Sequence, residues 1–371
     1  MLKCQVIIVN YHCAADTIEA VQSVLGTSLP LRIDVVDNSD CPQEAALLTA
    51  RLLGKAYVTI APGNLGFGRA CNLAYAQCHA EYVLLLNPDA RLDSDALTQL
   101  CMALDNDPGL AAVAPATWWD DARRWLLPTL QPENPIWWLL RALARRCPIL
   151  FGRALARRWL LWQQRLHAAH GPQDVPALSG AVLLLRRSAV AAAGGLFDAR
   201  FFMFYEDTDL CRRLRQAGFQ LALLPQAHAI HHWRASAHKD GLLQESARLY
   251  LGKHFPRLVR WGARLGLEPM ALFDLLAGSA AKEARWGIAR LPKRANVPTD
   301  PSACGAGRAE TLLAISPCPE GFPAVFRPLG APATASANLP LAALPPGRYV
   351  LHTLSHGHLA WWAIDLPATP C

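Results

Sequence analysis

YVLLLNPDA, residues 82–90, is an apolar run of five residues followed by a turn that ends in a carboxylate. A run this short, bounded by Asn and Pro, reads as a buried strand rather than a helix. The same grammar recurs on both sides. Upstream come a strand at Gln5–Asn10 (QVIIVN), a helix at Asp16–Leu25 with Asp16 as its N-cap, and a strand at Leu31–Asp37 (LRIDVVD). A helix at Pro42–Leu53, a strand at Ala56–Ile60 and a helix at Gly68–Cys78 lead back to residue 82. Downstream, Ser94–Leu104 reads as a helix and Leu110–Ala114 as a strand. Strand–helix alternation of this kind predicts an α/β fold, a mainly parallel sheet with helices on both faces. Ligands of such sheets sit at the carboxyl ends of the strands.

Three polar groups fall at those ends: Asn10-Tyr11, Asp37-Asn38-Ser39 and Asn87-Pro88-Asp89. Each alone is ordinary turn chemistry; three at one end of one sheet point to a site. Asp89, behind Pro88, is placed to meet a divalent cation, since Mg²⁺ or Mn²⁺ held against a diphosphate needs few protein ligands. Gly63-Asn64-Leu65-Gly66-Phe67-Gly68 precedes a helix, as phosphate-cradling loops do. Its spacing is not that of the dinucleotide fingerprint, which argues against a nicotinamide-dependent oxidoreductase.

Further along, Leu178–Leu185 (LSGAVLLL) resumes as a strand, and Glu206–Gln216 reads as a helix ending at Gly218. Glu206, Asp207 and Asp209 crowd its first turn. Acids there are favoured by the helix dipole, but here an aromatic run, Phe201 to Tyr205, leads into them. Packing on aromatics raises a carboxylate pKa toward that of a working base. Leu221–Leu224 and Ala229–His232 read as two short extended segments. His231 and His232 alternate faces, so at most one of them reaches a site; His231 is the first choice as a metal ligand.

Composition bounds the rest. The chain has 371 residues, 52% hydrophobic and 18% charged, enough for a large core. The 11 cysteines are scattered without a C-x-x-C pair, which fits free thiols. No signal segment and no run of about 18 apolar residues is evident, so a cytoplasmic chain is expected, either soluble or peripheral on the inner face of the plasma membrane. Net charge is +7, unevenly spread: Arg123 to Arg165 holds nine arginines, the single acid Glu133, and Trp125, Trp137, Trp138, Trp159 and Trp162. This stretch reads as helices divided by prolines at 128, 132, 135 and 148. It is expected either to lie on an anionic membrane, with Trp at the interface, or to keep its tryptophans in a core. No nucleic-acid module accompanies the charge. Residues 242–291 read as helical and Pro292–Pro301 as a linker. Phe322–Phe326, Gly347–Leu354 and Leu359–Leu366 form a β-like end of unread role.

Taken in order, VIIVNYH (6–12), VVDNSD (35–40), GNLGFGRACNLA (63–74), LLLNPDA (84–90), LSGAVLLLRRSAV (178–190), GGLFDARFFMFYEDTDLCRRLRQAGF (194–219) and AIHHWRAS (229–236) resemble the family 2 glycosyltransferases, in their rhamnosyltransferase-like branch. The likeness spans about residues 1–255. It implies a GT-A fold over 1–255 with residues 122–170 inserted; outside it, the sequence pattern reads as a helical extension and linker over 256–300 and a small β domain over 301–371. It also implies an inverting enzyme moving a sugar, rhamnose being suggested by the branch, from a dTDP- or UDP-linked donor to a hydroxyl of a glycan or lipid-linked glycan in cell-surface polysaccharide synthesis.

The implied roles follow residue by residue. Asp37 meets the nucleobase, with Asn10, Tyr11 and Asn38 beside it, and Asn64 and Gly66 line the nucleoside pocket. Asn87 and Asp89 stand at the ribose–diphosphate–metal junction, with His231 as a second metal ligand for Mg²⁺ or Mn²⁺. Asp207, paired with Glu206, is the general base, and Gly180, Phe202, Asp209 and Trp233 lie on the acceptor side. Two departures stand out: the metal motif keeps one acid, and Trp233-Arg234 occupies a stretch that relatives keep small. The competing class is a degenerate GT-A-fold adaptor that binds carbohydrate or membrane without turnover. The intact acids at 37, 89, 207 and 209 argue against it.

Overall fold

The computed structural model describes residues 2–232, 240–259, 311–316, 325–327, 347–355 and 358–366. The described chain divides into two compact units. Unit 1 holds residues 1–120, 129–131 and 169–255. Unit 2 holds 121–128, 132–168 and 256–371.

Unit 1 is built on a nine-stranded sheet. Its strands are β1 (Cys4–Asn10), β2 (Leu31–Asp37), β3 (Tyr57–Ile60), β4 (Tyr82–Leu86), β5 (Ala90–Leu92), β6 (Leu110–Trp118), β7 (Gln173–Asp174), β8 (Val182–Arg186) and β9 (Gln220–His231). The spatial order is β3-β2-β1-β4-β8-β6-β9-β5, with β7 pairing β9 off this path. From β3 to β4 every pairing is parallel, as the alternation predicts. β6 and β9 are parallel too, while β8 runs antiparallel to both β4 and β6.

The helices are α1 (Ala14–Leu25), α2 (Pro42–Arg51), α3 (Phe67–Tyr75), α4 (Ala96–Asn106), α5 (Pro135–Arg146), α6 (Arg153–Ala168), α7 (Arg187–Ala192), α8 (Glu206–Gln216) and α9 (Asp240–His254). The core forms because β1 and β4 are buried along their whole length, with the apolar face of α1 packed on β1 and that of α4 on the neighbouring β6 and β9. Ile18, Val21 and Val24 from α1 meet Leu97, Leu100 and Leu104 from α4 in one cluster with Val6, Ile8, Leu84 and Val35. Completely burying side chains of this size is worth roughly 1.5–3 kcal/mol each.

Some local expectations change. α1 begins at Ala14, so Asp16 lies in its first turn and is not the cap. The Glu44 carboxylate instead reaches across to accept from the Ala14 N–H at 2.9 Å. β6 runs on past Ala114, through Pro115, to Trp118. The two segments expected at 221–232 are one strand, β9. Its pairing with β6 slips between Pro115 and Ala116, where Leu224 gives way to His228. A proline with no N–H to give the ladder suits such a bulge. Gly218 does end α8, at φ +89.

In unit 2, β10 (Thr311–Ser316), β11 (Val325–Arg327), β12 (Gly347–Ser355) and β13 (His358–Leu366) form an antiparallel sheet in the order β11-β10-β12-β13. Leu126 pairs with Phe326, and Arg153 donates to the Leu359 carbonyl at 2.7 Å. Trp125, Trp138 and Trp159 are buried, and Trp138 donates through its indole N–H to Glu133. These three tryptophans are therefore core, not an interfacial belt.

Candidate functional site

The strand ends of unit 1 are joined by a continuous chain of polar contacts. Asn10, wholly buried at the end of β1, donates to Asp37 at 2.9 Å and to Glu44 at 3.0 Å. Its carbonyl oxygen accepts from the Thr17 hydroxyl at 2.9 Å. The side chain thus ties β1, β2, α1 and α2 together. The same Asp37 oxygen, Oδ1, accepts from the Ser39 hydroxyl at 2.7 Å and the Ser39 N–H at 3.2 Å. Its other oxygen, Oδ2, is buried with no hydrogen-bond partner among the described residues. A buried carboxylate oxygen left unpaired costs stability, and among the described residues nothing offsets that cost.

Asn38 continues the chain, donating to Asn64 at 3.0 Å and accepting from the Leu65 N–H at 2.8 Å. Asn64 also accepts from the Gly66 N–H at 3.0 Å. Gly66 is held at φ +78, and a Cβ there would lie 2.3 Å from the Phe202 carbonyl oxygen. Only glycine fits. The close approach lets the Phe67 N–H donate to that carbonyl at 2.9 Å, which docks the glycine loop on the aromatic run before α8.

That run ends unusually. Phe204 and Tyr205 both hold left-handed backbone, at φ +70 and +63, directly before Glu206. Consecutive non-glycine residues there carry strain that the surroundings must hold in place. α9 does so: Ser246 donates to the Met203 carbonyl at 2.7 Å, and Tyr250 packs on Tyr205 at 5.3 Å between centroids.

The result is to start α8 with Glu206 and Asp207 turned inward. Asp207 Oδ2 accepts from the Gly180 N–H at 2.9 Å, and Oδ1 from the Thr208 N–H at 2.6 Å. Burial nevertheless raises the Asp207 carboxyl above its ordinary range, the backbone donors offsetting part of the effect. Glu206 is raised as well, by burial first and by the Asp207 charge second. Its Oε2 has no hydrogen-bond partner among the described residues. Next to Gly180, the Ala181 carbonyl accepts from the Asn87 N–H at 2.7 Å, so the turn after β4 is linked to the acids of α8.

Asp89 and His231 meet at 3.2 Å, Oδ1 to Nε2, with Asn87 Nδ2 3.4 Å from the same nitrogen. The His232 N–H donates to the Asp89 carbonyl, which fixes the pair in register. Cys13 stands close by: burial pushes its thiol up, and the carboxylates of Asp16 and Asp89 push the same way. Among the described residues no group of three or more His, Cys, Asp or Glu side chains is arranged to hold a metal ion. The oxygen–nitrogen pair of Asp89 and His231 fits an ion that draws its remaining ligands from a diphosphate and water.

The structure thus brings together Asn10, Asp37, Asn38, Asn64, Gly66, Phe202, Gly180, Glu206, Asp207, Asn87, Asp89 and His231. Tyr11 stands half-exposed just beyond Asn10. Asp209 does not join them. It is fully buried, and its carboxylate is shared among Arg213 at 2.8 Å, Lys253 at 2.7 Å and His254 at 2.7 Å. A carboxylate saturated in this way has nothing left for an acceptor, so Asp209 is an anchor between α8 and α9. Trp233 lies outside the described residues. Glu44, Thr17, Thr208 and Cys13 went unnoticed in the sequence. Glu44 carried a weak signal as an acid in the first turn of α2; the others carried none.

The family described as "Glycosyltransferase like family 2" matches residues 4–262. The chain is 29% identical over 243 residues to N-acetylglucosaminyl-diphospho-decaprenol L-rhamnosyltransferase of Mycobacterium tuberculosis, covering 58% of this chain and 71% of that protein. It is 26% identical over 212 residues to rhamnosyltransferase WbbL of Escherichia coli, covering 54% and 73%. Among solved structures it is similar to GalNAc-T7 crystallised with UDP, GalNAc and Mn²⁺. That likeness has a TM-score of 0.48 at 13% identity, over 80% of this chain and 60% of that one.

Proposed function

The chain belongs to glycosyltransferase family 2, and from that premise we propose that it transfers rhamnose from a dTDP- or UDP-linked donor to a hydroxyl of a glycan or lipid-linked glycan, with inversion, in cell-surface polysaccharide synthesis. Rhamnose and the lipid-linked acceptor rest on the names of the two relatives. The observation that carries the reading is the inward-turned Asp207, raised by burial and aimed by Gly180 and Thr208.

In this reading the acceptor oxygen attacks C1 of the sugar. Its proton passes to the Asp207 carboxylate, and the bond from C1 to the diphosphate oxygen breaks. Glu206 keeps the pair's second proton, which leaves Asp207 free to ionise. Asp37 Oδ2 accepts from the nucleobase, held toward it by Asn10 and Ser39. Asn38, Asn64 and Gly66 shape the nucleoside pocket, and Tyr11 covers it. Asn87, Asp89 and His231 face the diphosphate, and Asp89 with His231 would hold Mg²⁺ or Mn²⁺. When bound, the cation offsets the charge that develops on the departing diphosphate. Gly180 and Phe202 border the acceptor.

The test is Asp207→Asn, which keeps the shape and removes the base. Turnover is expected to fall by about 10²–10⁴-fold, with calorimetric binding of the nucleoside diphosphate retained. Full activity in that variant would rule out Asp207 as the base.

A further inference from the structure

We propose that the outward face of α5, together with the turn that follows it, docks on an anionic phospholipid bilayer. Ile136, Leu139, Leu140 and Leu143 recur at i, i+3, i+4 and i+7, the spacing of a single helix face. That pattern ordinarily marks the face turned to a core. Here the core lies on the other side, where Trp138 and Ala142 are buried. The apolar stripe is left to solvent, with Ile136 75% exposed, Leu139 48% and Leu140 37%.

The π-helical turn Pro148–Gly152 that follows adds Ile149 at 66%, Leu150 at 73% and Phe151 at 46%. These six side chains lie within 16 residues of sequence. Six large apolar side chains exposed within so short a stretch mark an interaction surface rather than scattered surface residues.

Charge selects the partner. The stretch from Arg123 to Arg165 carries nine arginines against one acid, and Glu133 is already engaged by Arg141 at 3.1 Å. Arg145 and Arg146 precede the apolar turn in the chain, and Arg153 follows it directly. Arg157 and Arg158 are exposed one turn further along α6. Exposed aliphatic side chains in a stretch of sequence with nine arginines and one acid match a surface whose headgroups are negative and whose interior is hydrocarbon. A protein partner would have to supply both an apolar groove and a concentrated acidic rim. The side chains entering the bilayer are Ile, Leu and Phe, and the buried tryptophans support the helix from below. The inference stands apart from the proposed reaction, because its readout is binding alone.

The test is co-sedimentation of the 371-residue chain with vesicles of phosphatidylcholine alone or mixed with phosphatidylglycerol. The variants are Ile136→Ser/Leu150→Ser and Arg157→Glu/Arg158→Glu. Nucleoside diphosphate binding, measured on the same preparations, reports that unit 1 is folded. Wild type is expected to sediment with the anionic vesicles only, and to be released as salt is raised from about 0.1 to about 0.5 M. The aliphatic variant is expected to lose about tenfold or more in partitioning. The charge variant is expected to lose the preference for phosphatidylglycerol. Equal sedimentation with both vesicle types, none with either, or undiminished binding by the aliphatic variant overturns the proposal. So does a wild-type dimer in light scattering that the aliphatic variant dissociates without any vesicle binding, which would make the face a contact between copies.

Discussion

Glu206, buried, and Asp207, half-buried, are adjacent carboxylates in one turn, and their chemistry follows from that crowding. Both are raised, so the ionised form of Asp207 accumulates only above the ordinary carboxylate range of about 4. The base proposed for the transfer must be ionised to act. On that proposal the rate is expected to climb with pH, with the acid limb of the kcat/KM profile above that range. Stability moves the other way. A carboxyl raised in the fold contributes stability in acid, and that contribution is lost as pH rises through the raised value. Glu206→Gln removes the loss. Urea unfolding is expected to find this variant more stable than wild type at pH 8 and equal to it at pH 4. Equal stability at both values would mean that Glu206 is not the group holding the pair's proton. The sequence exposed the acids of this turn but not their division of labour. Asp207 and Asp209 are two residues apart, yet one meets Gly180 and the other meets Lys253 and His254. Those partners are 44 and 45 residues further along the chain, and no local pattern announces them.

At the scale of elements, the acid that left the site becomes a rivet. Asp209 joins α8 to α9, and α9 in turn holds the strained Phe204–Tyr205 backbone through Ser246 and Tyr250. Burial alone would push the Asp209 carboxyl up, but His254, Lys253 and Arg213 outweigh it, and it sits below its ordinary range. A depressed carboxyl stabilises the fold above the unfolded value and stops doing so as pH falls through the folded one. Asp209→Asn is expected to cost about 3 kcal/mol in urea unfolding near neutral pH, the scale of breaking a buried ion pair. That gap should close in acid, and its absence at neutral pH would show the cluster to be dispensable. The strands and helices of unit 1 were legible because each apolar run ends in a polar turn. The face of α5 was not legible. Periodicity reports that a helix has two sides without saying which one meets the core, and in α5 the aliphatic stripe is the outer one.

For the whole molecule, every described residue assigned to the reaction belongs to unit 1. The sequence could show that residues 122–170 differ from their surroundings and that the end of the chain is β-like. It could not show that Leu126 pairs with Phe326, because a pairing across 200 residues leaves no trace in local periodicity. Donor-site occupancy should be visible in the melting of the folded chain. A nucleoside diphosphate with Mn²⁺, at about 100 times its dissociation constant, is expected to add about 2.7 kcal/mol of stability by mass action. A chelator should reverse most of that gain in calorimetry if Asp89 and His231 hold the cation. An undiminished shift with chelator present would remove the metal from the reading.

The bulge in β9 has one more effect. Between the slip at His228 and the end of the strand, parity alone decides which ring stands beside Asp89. A single-residue deletion in that interval would carry His232 into the place of His231 and leave an imidazole there. A single-residue insertion would bring Ile230 instead and leave a hydrocarbon. The doubled histidine is thus a spare that works in one direction only.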